Sequence, residues 1–389
     1  MDEVRIGVAG IGGMGSNHTG YLTKGDGVPG ARLTSVADVT PARIEWAKAS
    51  LGDGVARFDT PEAMIESGEI DAVIIATPHY FHPPVAIAAF EAGLHVMSEK
   101  PAGVYTNQVK QMNAAAEKAG TVFSLMLNQR ARGHTRKLKE LVASGELGEI
   151  QRTNYIITSW FRAQSYYDSG GWRATWGGEG GGVLANQCPH NLDLWQWICG
   201  MPSRMRSFCY FGKHHNIEVE DDVTAFVEYP NGATGVFVTT TGDAPGTNRL
   251  EITGDRGKVV AENGKITFHR TEESASKFLR EWPNGFGSPG VWTCDVPPAR
   301  GDGGHITITK NWVQSIRDGG KTELMAPGLD GINSVELFNA MLLSTWTDSW
   351  IDIPVDGDLY LEELQKRAKA SKAKDTGEAK TMDVSGTFQ

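Results

Sequence analysis

The tightest constraint on this chain is a glycine run that follows directly on a short apolar segment near its start. Val4 to Gly10 reads as a strand and passes into Gly10-Ile11-Gly12-Gly13-Met14-Gly15, which puts Gly10, Gly12 and Gly15 at the three positions of G-x-G-x-x-G. The first glycine permits a tight turn, the second lets backbone approach a pyrophosphate, and the third lets the next helix pack close on the strand. That helix presents unpaired N–H groups and a positive dipole end to the phosphates. The second strand ends in Ser35-Val36-Ala37-Asp38. A carboxylate there can accept from both ribose hydroxyls and repels a 2′-phosphate, so the pattern points to NAD in preference to NADP. The stretch Gly25 to Gly30 accounts for the long spacing between loop and Asp38, and Arg43, a turn into the next helix, is the residue placed to soften the preference.

The alternation continues. Val4 to Gly10, Leu33 to Asp38, Ala72 to Ala76, His95 to Ser98 and Val122 to Leu127 read as strands; Thr40-Pro41 and Thr60-Pro61 each supply an N-cap hydroxyl and a first-turn proline, and Gly93 and Gly120 stop helices. Strands alternating with helices predict a parallel, doubly wound sheet. After a helix at about His134 to Ala143 the pattern changes to longer alternating runs, Ile150 to Trp160, Val223 to Tyr229 and Ala233 to Thr241, with turns at Pro230-Asn231-Gly232, Gly254-Asp255-Arg256-Gly257 and Asn263-Gly264. Two late helices are predicted near Ile306 to Arg317 and Ile332 to Trp350, then a polar tail from about Ala368. The fold expected is α/β: a doubly wound parallel sheet in residues 1–128, then an α+β domain with a large, mostly antiparallel open sheet in residues 129–389.

The fifth strand ends in Leu94-His95-Val96-Met97-Ser98-Glu99-Lys100-Pro101. Ligands of open parallel sheets bind beyond the carboxyl ends of strands, so Lys100 is placed beside the nicotinamide, where burial lowers its pKa. Pro101 fixes the backbone there, and His82, five residues after Thr77, reads as a residue that holds the cofactor loop. The run Gly10 to Gly15, Asp38, Thr77-Pro78 with His82, and Glu99-Lys100-Pro101 resembles the Gfo/Idh/MocA family of oxidoreductases. The resemblance covers most of the chain and implies a Rossmann domain with NAD held by Gly10, Ile11, Gly12, Gly13, Met14, Gly15, Asp38, Thr77, Pro78, His82, Glu99, Lys100 and Asn128.

Between 160 and 200 the chain gathers Trp160, Trp172, Trp176, Trp195 and Trp197, seven glycines between Gly170 and Gly182, and Arg162, Tyr166, Tyr167 and Arg173. Flat rings among hydrogen-bond donors suit a pyranose or cyclitol, and a glycine-rich segment shapes a cleft better than it packs a core. Trp160, Arg162, Trp172, Arg173 and Trp176 are the expected substrate contacts. Pro189 opens a helix that stops at Gly200, which sets His190 at its positive end, where a neutral imidazole is favoured as a base. Asp193, one turn on, is expected to orient it and to touch substrate. This stretch resembles the family's second-domain motif of Gly-Gly-Gly followed by Asp-x-x-x-His-x-x-Asp. Asn186 stands where the family has its first Asp; an amide can bond a substrate hydroxyl but cannot take its proton, which leaves His190 as the main base. His305, after nearby glycines, is a further candidate for substrate contact.

The remaining features narrow the function classes. With 37 Lys plus Arg against 47 Asp plus Glu, net charge is -10, and no dense basic patch attracts nucleic acid or anionic membranes. Cys188, Cys199, Cys209 and Cys294 show no paired spacing and read as buried free thiols. The absence of a signal-like opening or a long apolar run then predicts a cytoplasmic protein. His214-His215 with Glu218, Glu220, Asp221 and Asp222 superficially suggests a metal site, but strand alternation separates these side chains, so a solvated edge or subunit contact is expected and no metal. The expected function is an NAD(H)-dependent oxidoreductase that oxidises a secondary hydroxyl of a sugar, glycoside or cyclitol, with Lys100 and His190 catalytic. A redox-neutral glycoside-processing enzyme that recycles bound NAD and a noncatalytic sugar or dinucleotide sensor are the alternatives. The resemblance also implies a homodimer or homotetramer.

Overall fold

A computed structural model of the chain describes residues 2–24, 27–301 and 303–372. The first half runs β1 (Val4–Ala9), α1 (Gly13–Leu22), β2 (Ala31–Ala37), α2 (Pro41–Ser50), β3 (Ala56–Phe58), α3 (Pro61–Glu66), β4 (Ala72–Ile75), α4 (His82–Glu91), β5 (His95–Ser98), α5 (Thr106–Ala119) and β6 (Phe123–Leu125). The six strands form one parallel sheet in the order β3-β2-β1-β4-β5-β6. Val4, Ile6, Val8, Ile74, Ile75, Val96 and Met97 are buried, as continuous apolar strands covered on both faces require. Sequence pattern missed β3, whose three residues carry too little periodicity to register. Thr60 caps α3 by accepting from the Ala63 amide, but Thr40 makes no such bond; Asp38 Oδ1 takes the Thr40 amide instead.

The second half runs α6 (Gly133–Ala143), β7 (Ile150–Ile157), α7 (Gln164–Tyr167), α8 (Pro189–Cys199), β8 (Arg204–Phe211), β9 (Glu220–Glu228), β10 (Thr234–Thr240), β11 (Asn248–Gly254), β12 (Gly257–Glu262), β13 (Lys265–Thr271), α9 (Ala275–Glu281), β14 (Val291–Val296), α10 (His305–Arg317), α11 (Gly331–Thr347), β15 (Ile351–Asp352) and α12 (Gly357–Ala370). Its nine-stranded sheet has the order β14-β13-β12-β11-β7-β10-β9-β8-β15 and is antiparallel except where β10 lies parallel to β7. Ser207, Cys209, Val223, Ala225 and Val227 alternate inward and are buried, whereas Phe208, Tyr210 and Phe226 face out and are exposed. Helix α11 ends at Thr347 and not at Trp350, because Asp348 takes a left-handed conformation with φ 49°. Residues 368–370, expected to begin a loose tail, finish α12; from 373 that tail lies outside the described residues, as do Gly25 and Asp26 of the loop before β2.

The late segments return to the first sheet. Ser124 forms a β-bridge with Pro327, the Leu125 amide donates to Ala326 O at 3.1 Å, and Tyr21 on α1 meets Thr309 on α10 at 2.9 Å. Among the described residues no helix is long and apolar enough to cross a membrane, and no His/Cys/Asp/Glu group is arranged to hold a metal. The expected solvated edge at 214–222 is corrected: Glu220 and Asp221 are fully buried, and Asp221 accepts from the amides of Lys213, His214 and His215 and from the His215 ring. All four cysteines are free; Cys188 and Cys209 are buried, Cys199 is half-buried, and Cys294 is exposed because it lies on the outer strand β14.

Candidate active site

The glycine run behaves as its spacing requires. Gly10 has φ +83°, and a Cβ on it would stand 2.8 Å from Ala76 O; a Cβ on Gly15 would stand 1.8 Å from Gly10 O. Gly12 differs, since its Cβ would meet nothing within 4 Å. That open side lies at the start of α1, whose cap carries no side-chain bond, so the first-turn amides have no side chain competing with a phosphate. Asp38 Oδ2 accepts the Ile11 amide at 2.9 Å and so ties the loop to the end of β2. Arg43 is spent on Ile11 O and the Ser16 hydroxyl and lies over Trp46, so it is held against the loop backbone.

At the ends of β4 and β5 the His82 ring bridges Thr77 O at 2.7 Å and Pro101 O at 2.8 Å, fixing the two loops to each other. Pro101 follows a cis peptide bond. Glu99 is buried with Oε1 2.8 Å from His18 Nε2. Burial opposes its charge, but His18 outweighs that and holds the carboxyl down at about 2. Asn128 lies 3.1 Å from His305 Nδ1, and the His305 ring meets His18 edge to face at 6.1 Å. His305 therefore sits on the Glu99 side of the site, with its pKa pushed down to about 4, chiefly by burial. The Thr77 hydroxyl and Asn128 Oδ1 are buried without protein partners among the described residues, two polar atoms suited to a ligand beside this loop.

Lys100 crosses from this sheet to the second domain. Its Nζ donates to Asn186 O at 2.7 Å, and burial lowers its pKa although Glu99 and Glu179 oppose the shift. His190, the second residue of α8, has its pKa driven well below the usual value by burial first and by the Lys100 charge next. The imidazole is neutral at neutral pH, and its buried Nδ1 bonds no protein group among the described residues. Asp193 does not orient it, which corrects the expectation from one-turn spacing. Both Asp193 oxygens are taken by Arg130 at 2.8 and 2.6 Å, and Gln196 adds a third bond at 3.0 Å. Asp193 is fully buried in that pair and reaches no cleft.

The tryptophan cluster divides. Trp160 donates to Asn191 at 3.0 Å and is half-buried; Trp172 is 36% exposed and meets the His79 ring edge to face. Arg162 and Arg173 pack against these two rings and share Tyr166 between them. Trp176, expected at the substrate, is 6% exposed and packed against Phe211 and Trp346, so its ring belongs to the core under α11. Trp195 stacks on Phe237 in the core, and Trp197 lies against Arg130 and Lys139.

Sequence reasoning passed over Glu179. It is the sole acidic residue between Gly170 and Gly182, and that isolation was the available signal. The side chain is buried, accepts from the Ala174 amide at 2.6 Å and from Asn186 Nδ2, and lies 3.6 Å from Arg173. Burial raises its pKa against the pull of Arg173 and Lys100. The Asn186 amide turns its Nδ2 to Glu179, which leaves Oδ1 turned away as an acceptor. His79, His18, Tyr166 and Gln187 complete the surroundings: His79 Nδ1 lies 3.2 Å from Glu179 O, and Gln187 donates to the Tyr166 hydroxyl at 3.2 Å.

A glycine-cradled parallel sheet that shares a lysine with a second, sheet-bearing domain defines a two-domain oxidoreductase of the NAD-binding Rossmann kind. Residues 4–127 match the oxidoreductase family with NAD-binding Rossmann fold and residues 135–260 match the GFO/IDH/MocA C-terminal domain, so the chain belongs to the Gfo/Idh/MocA family. It is 29% identical over 229 residues to D-glucoside 3-dehydrogenase of Escherichia coli, covering 54% of this chain and 62% of that one. It is 24% identical over 401 residues to levoglucosan dehydrogenase of Pseudarthrobacter phenanthrenivorans, covering 91% and 99%. The WlbA dehydrogenase of Bordetella pertussis, solved with NADH and UDP-GlcNAcA, superposes with a TM-score of 0.75 at 26% identity over 91% of this chain and 100% of that one. The chain spans 56%, 62% and 61% of the length of three curated relatives that it matches.

Proposed function

We propose that this chain is an NAD-dependent dehydrogenase that oxidises a secondary hydroxyl of a sugar, glycoside or cyclitol to the ketone. The observation that carries the reading is the 2.7 Å bond from Lys100 Nζ to Asn186 O, which joins the end of β5 to the turn that leads into His190. The chemistry that the dinucleotide supplies when bound is acceptance of a hydride at its nicotinamide ring. Gly10 to Gly15, Asp38, Thr77, Pro78, His82, Glu99 and Asn128 are the residues that would hold it.

The chain's own residues do the acid–base work. Neutral His190 takes the proton of the substrate hydroxyl at a ring nitrogen, and the Lys100 ammonium stabilises the charge that develops on the oxygen. Asn186 Oδ1, fixed by Glu179, accepts from a neighbouring hydroxyl, and Trp160 and Trp172 offer flat faces to the ring. The glucoside and levoglucosan substrates named for two relatives support the sugar class. The test is NADH absorbance across aldoses, glycosides, anhydrosugars and inositols. Lys100→Ala and His190→Ala should each lower turnover by roughly 10² to 10⁴-fold; wild-type turnover in both refutes the assignment. Product without net NADH indicates the redox-neutral route, and tight NAD binding without turnover across the panel indicates a sensor.

The same reading divides the labour between a cofactor domain, residues 1–128, and a substrate domain, residues 129–389, in a cytoplasmic homodimer or homotetramer. Outward-facing Phe208, Tyr210 and Phe226 on neighbouring strands supply an apolar face that a second copy would cover. Sedimentation of the protein at several concentrations decides the assembly.

A further inference from the structure

Two guanidinium groups flank one phenol ring, that of Tyr166. The Arg162 and Arg173 side chains lie 5.3 and 4.5 Å from the Tyr166 ring centre; Arg162 also lies 5.6 Å from Trp160 and Arg173 4.8 Å from Trp172. Each spends one N–H on a neutral acceptor, Arg162 on Phe161 O and Arg173 on the Tyr166 hydroxyl. Behind them the Lys100 ammonium also bonds a neutral carbonyl.

The carboxylates nearby are accounted for. Glu179 lies 3.6 Å from Arg173 but is already bonded to Asn186 and the Ala174 amide. Asp221 is bound to His215 and to the amides of residues 213–215, and Asp168 to Gln164. Among the described residues no carboxylate lies within ion-pair distance of Arg162. Arg162, Arg173 and Lys100 thus face Glu179 and, at Lys100, a Glu99 already bonded to His18, in a chain whose net charge is -10. A local excess of like charge against the sign of the whole chain is costly unless an anion completes it. Contact with the aromatic rings holds both guanidinium groups in place, and a guanidinium is the side chain suited to a forked oxyanion contact.

We propose that Arg162 and Arg173 form a subsite for an oxyanion carried by the sugar, so that the substrate is an acidic sugar such as a uronate or a sugar phosphate. This rests on the dehydrogenase reading for the reaction, while the binding claim is measured apart from turnover. The NADH-loaded protein is titrated calorimetrically with gluco, galacto and manno members of three sets: neutral aldoses, the matching uronates and the matching 6-phosphates. The parallel measurement is NAD reduction on the same panel.

At least one acidic set should bind roughly 10 to 100-fold tighter than its neutral counterpart, the range for a charge-assisted bond. The preference should shrink as salt is raised. Arg162→Gln, a partly exposed position, should remove most of the difference between acidic and neutral members; Arg173→Lys, which keeps the charge beside Glu179, should weaken it less. The better of the uronate and phosphate sets identifies the oxyanion. Equal affinity for acidic and neutral members, no binding of any acidic member, or a preference that survives Arg162→Gln together with Arg173→Gln overturns the subsite. Selective binding of acids without NADH formation upholds it and overturns the dehydrogenase reading; oxidation of neutral sugars with no preference for acids does the reverse.

Discussion

Glu220 should set how the stability of this protein depends on pH. It is fully buried at the start of β9, and its Oε1 accepts from the Gly182 and Leu184 amides at 2.8 and 3.0 Å, clamping the turn that precedes Asn186. Its Oε2 is buried with no partner among the described residues. Burial, more than these bonds can offset, pushes the carboxyl from 4.5 up to about 7. A carboxyl raised in the folded state stabilises fully below its unfolded value and loses that contribution as pH rises through the folded one. The separation of about 2.5 units corresponds to about 3 kcal/mol, lost between pH ~4.5 and ~7. Glu220→Gln keeps an acceptor for the two amides and cannot ionise. Urea unfolding of both proteins from pH 4.5 to 8 should therefore show near-equal stability at the acid end, with the variant ahead by about 3 kcal/mol at the other. Curves that stay parallel across the range would refute the reasoning, because Oε2 would then have a compensating partner.

Three further outcomes follow from the packing. Asp193→Ala leaves the buried Arg130 guanidinium with Asp330 as its remaining carboxylate, 2.7 Å away, and should cost about 1–3 kcal/mol in urea unfolding, with kcat/KM of the remaining folded protein within roughly threefold; lost turnover at full stability would restore Asp193 to the reacting groups. Gly15→Ala puts a methyl 1.8 Å from Gly10 O, and the forced shift of loop or helix should weaken NADH binding by roughly 10 to 100-fold in a fluorescence titration, with an unchanged Kd refuting the cradle. Trp172→Ala should raise KM for the sugar by about 2 to 10-fold, whereas Trp176→Phe should lower the melting temperature and leave KM in place; the opposite pattern would put the buried ring at the substrate.

What the sequence disclosed and what it hid follow from the range of the interactions. Gly10 to Gly15 and the fifth-strand run Glu99-Lys100-Pro101 were legible because their signals are local: backbone turns, strand ends and a motif that survives without partners. Asp193 misled for the opposite reason. Its spacing from His190 placed both on one helix side, but Arg130, 63 positions away, claimed the carboxylate. Trp176 misled because a ring's direction depends on Phe211 and Trp346, which no local pattern announces. Glu179 stayed hidden because glycine-rich context reads as loop, and loop carboxylates are ordinarily solvated; only folding shows that this one is enclosed. The small strands β3 and β15 were below the length at which alternation can be read at all.

The return of α10 and Ala326-Pro327 to the first sheet has a consequence for how the protein is made. Ser124 bonds Ala326 O across 202 positions, and Tyr21 bonds Thr309 across 288. On a ribosome adding about 5–20 residues per second, the flank of β6 that Ala326 and Pro327 cover waits roughly 10 to 40 s after that strand is synthesised. During that interval the cofactor half stands with an open flank and with the Tyr21 hydroxyl short of its late partner. Completion of the cofactor half is thus timed by a segment made 202 positions after the strand that it covers.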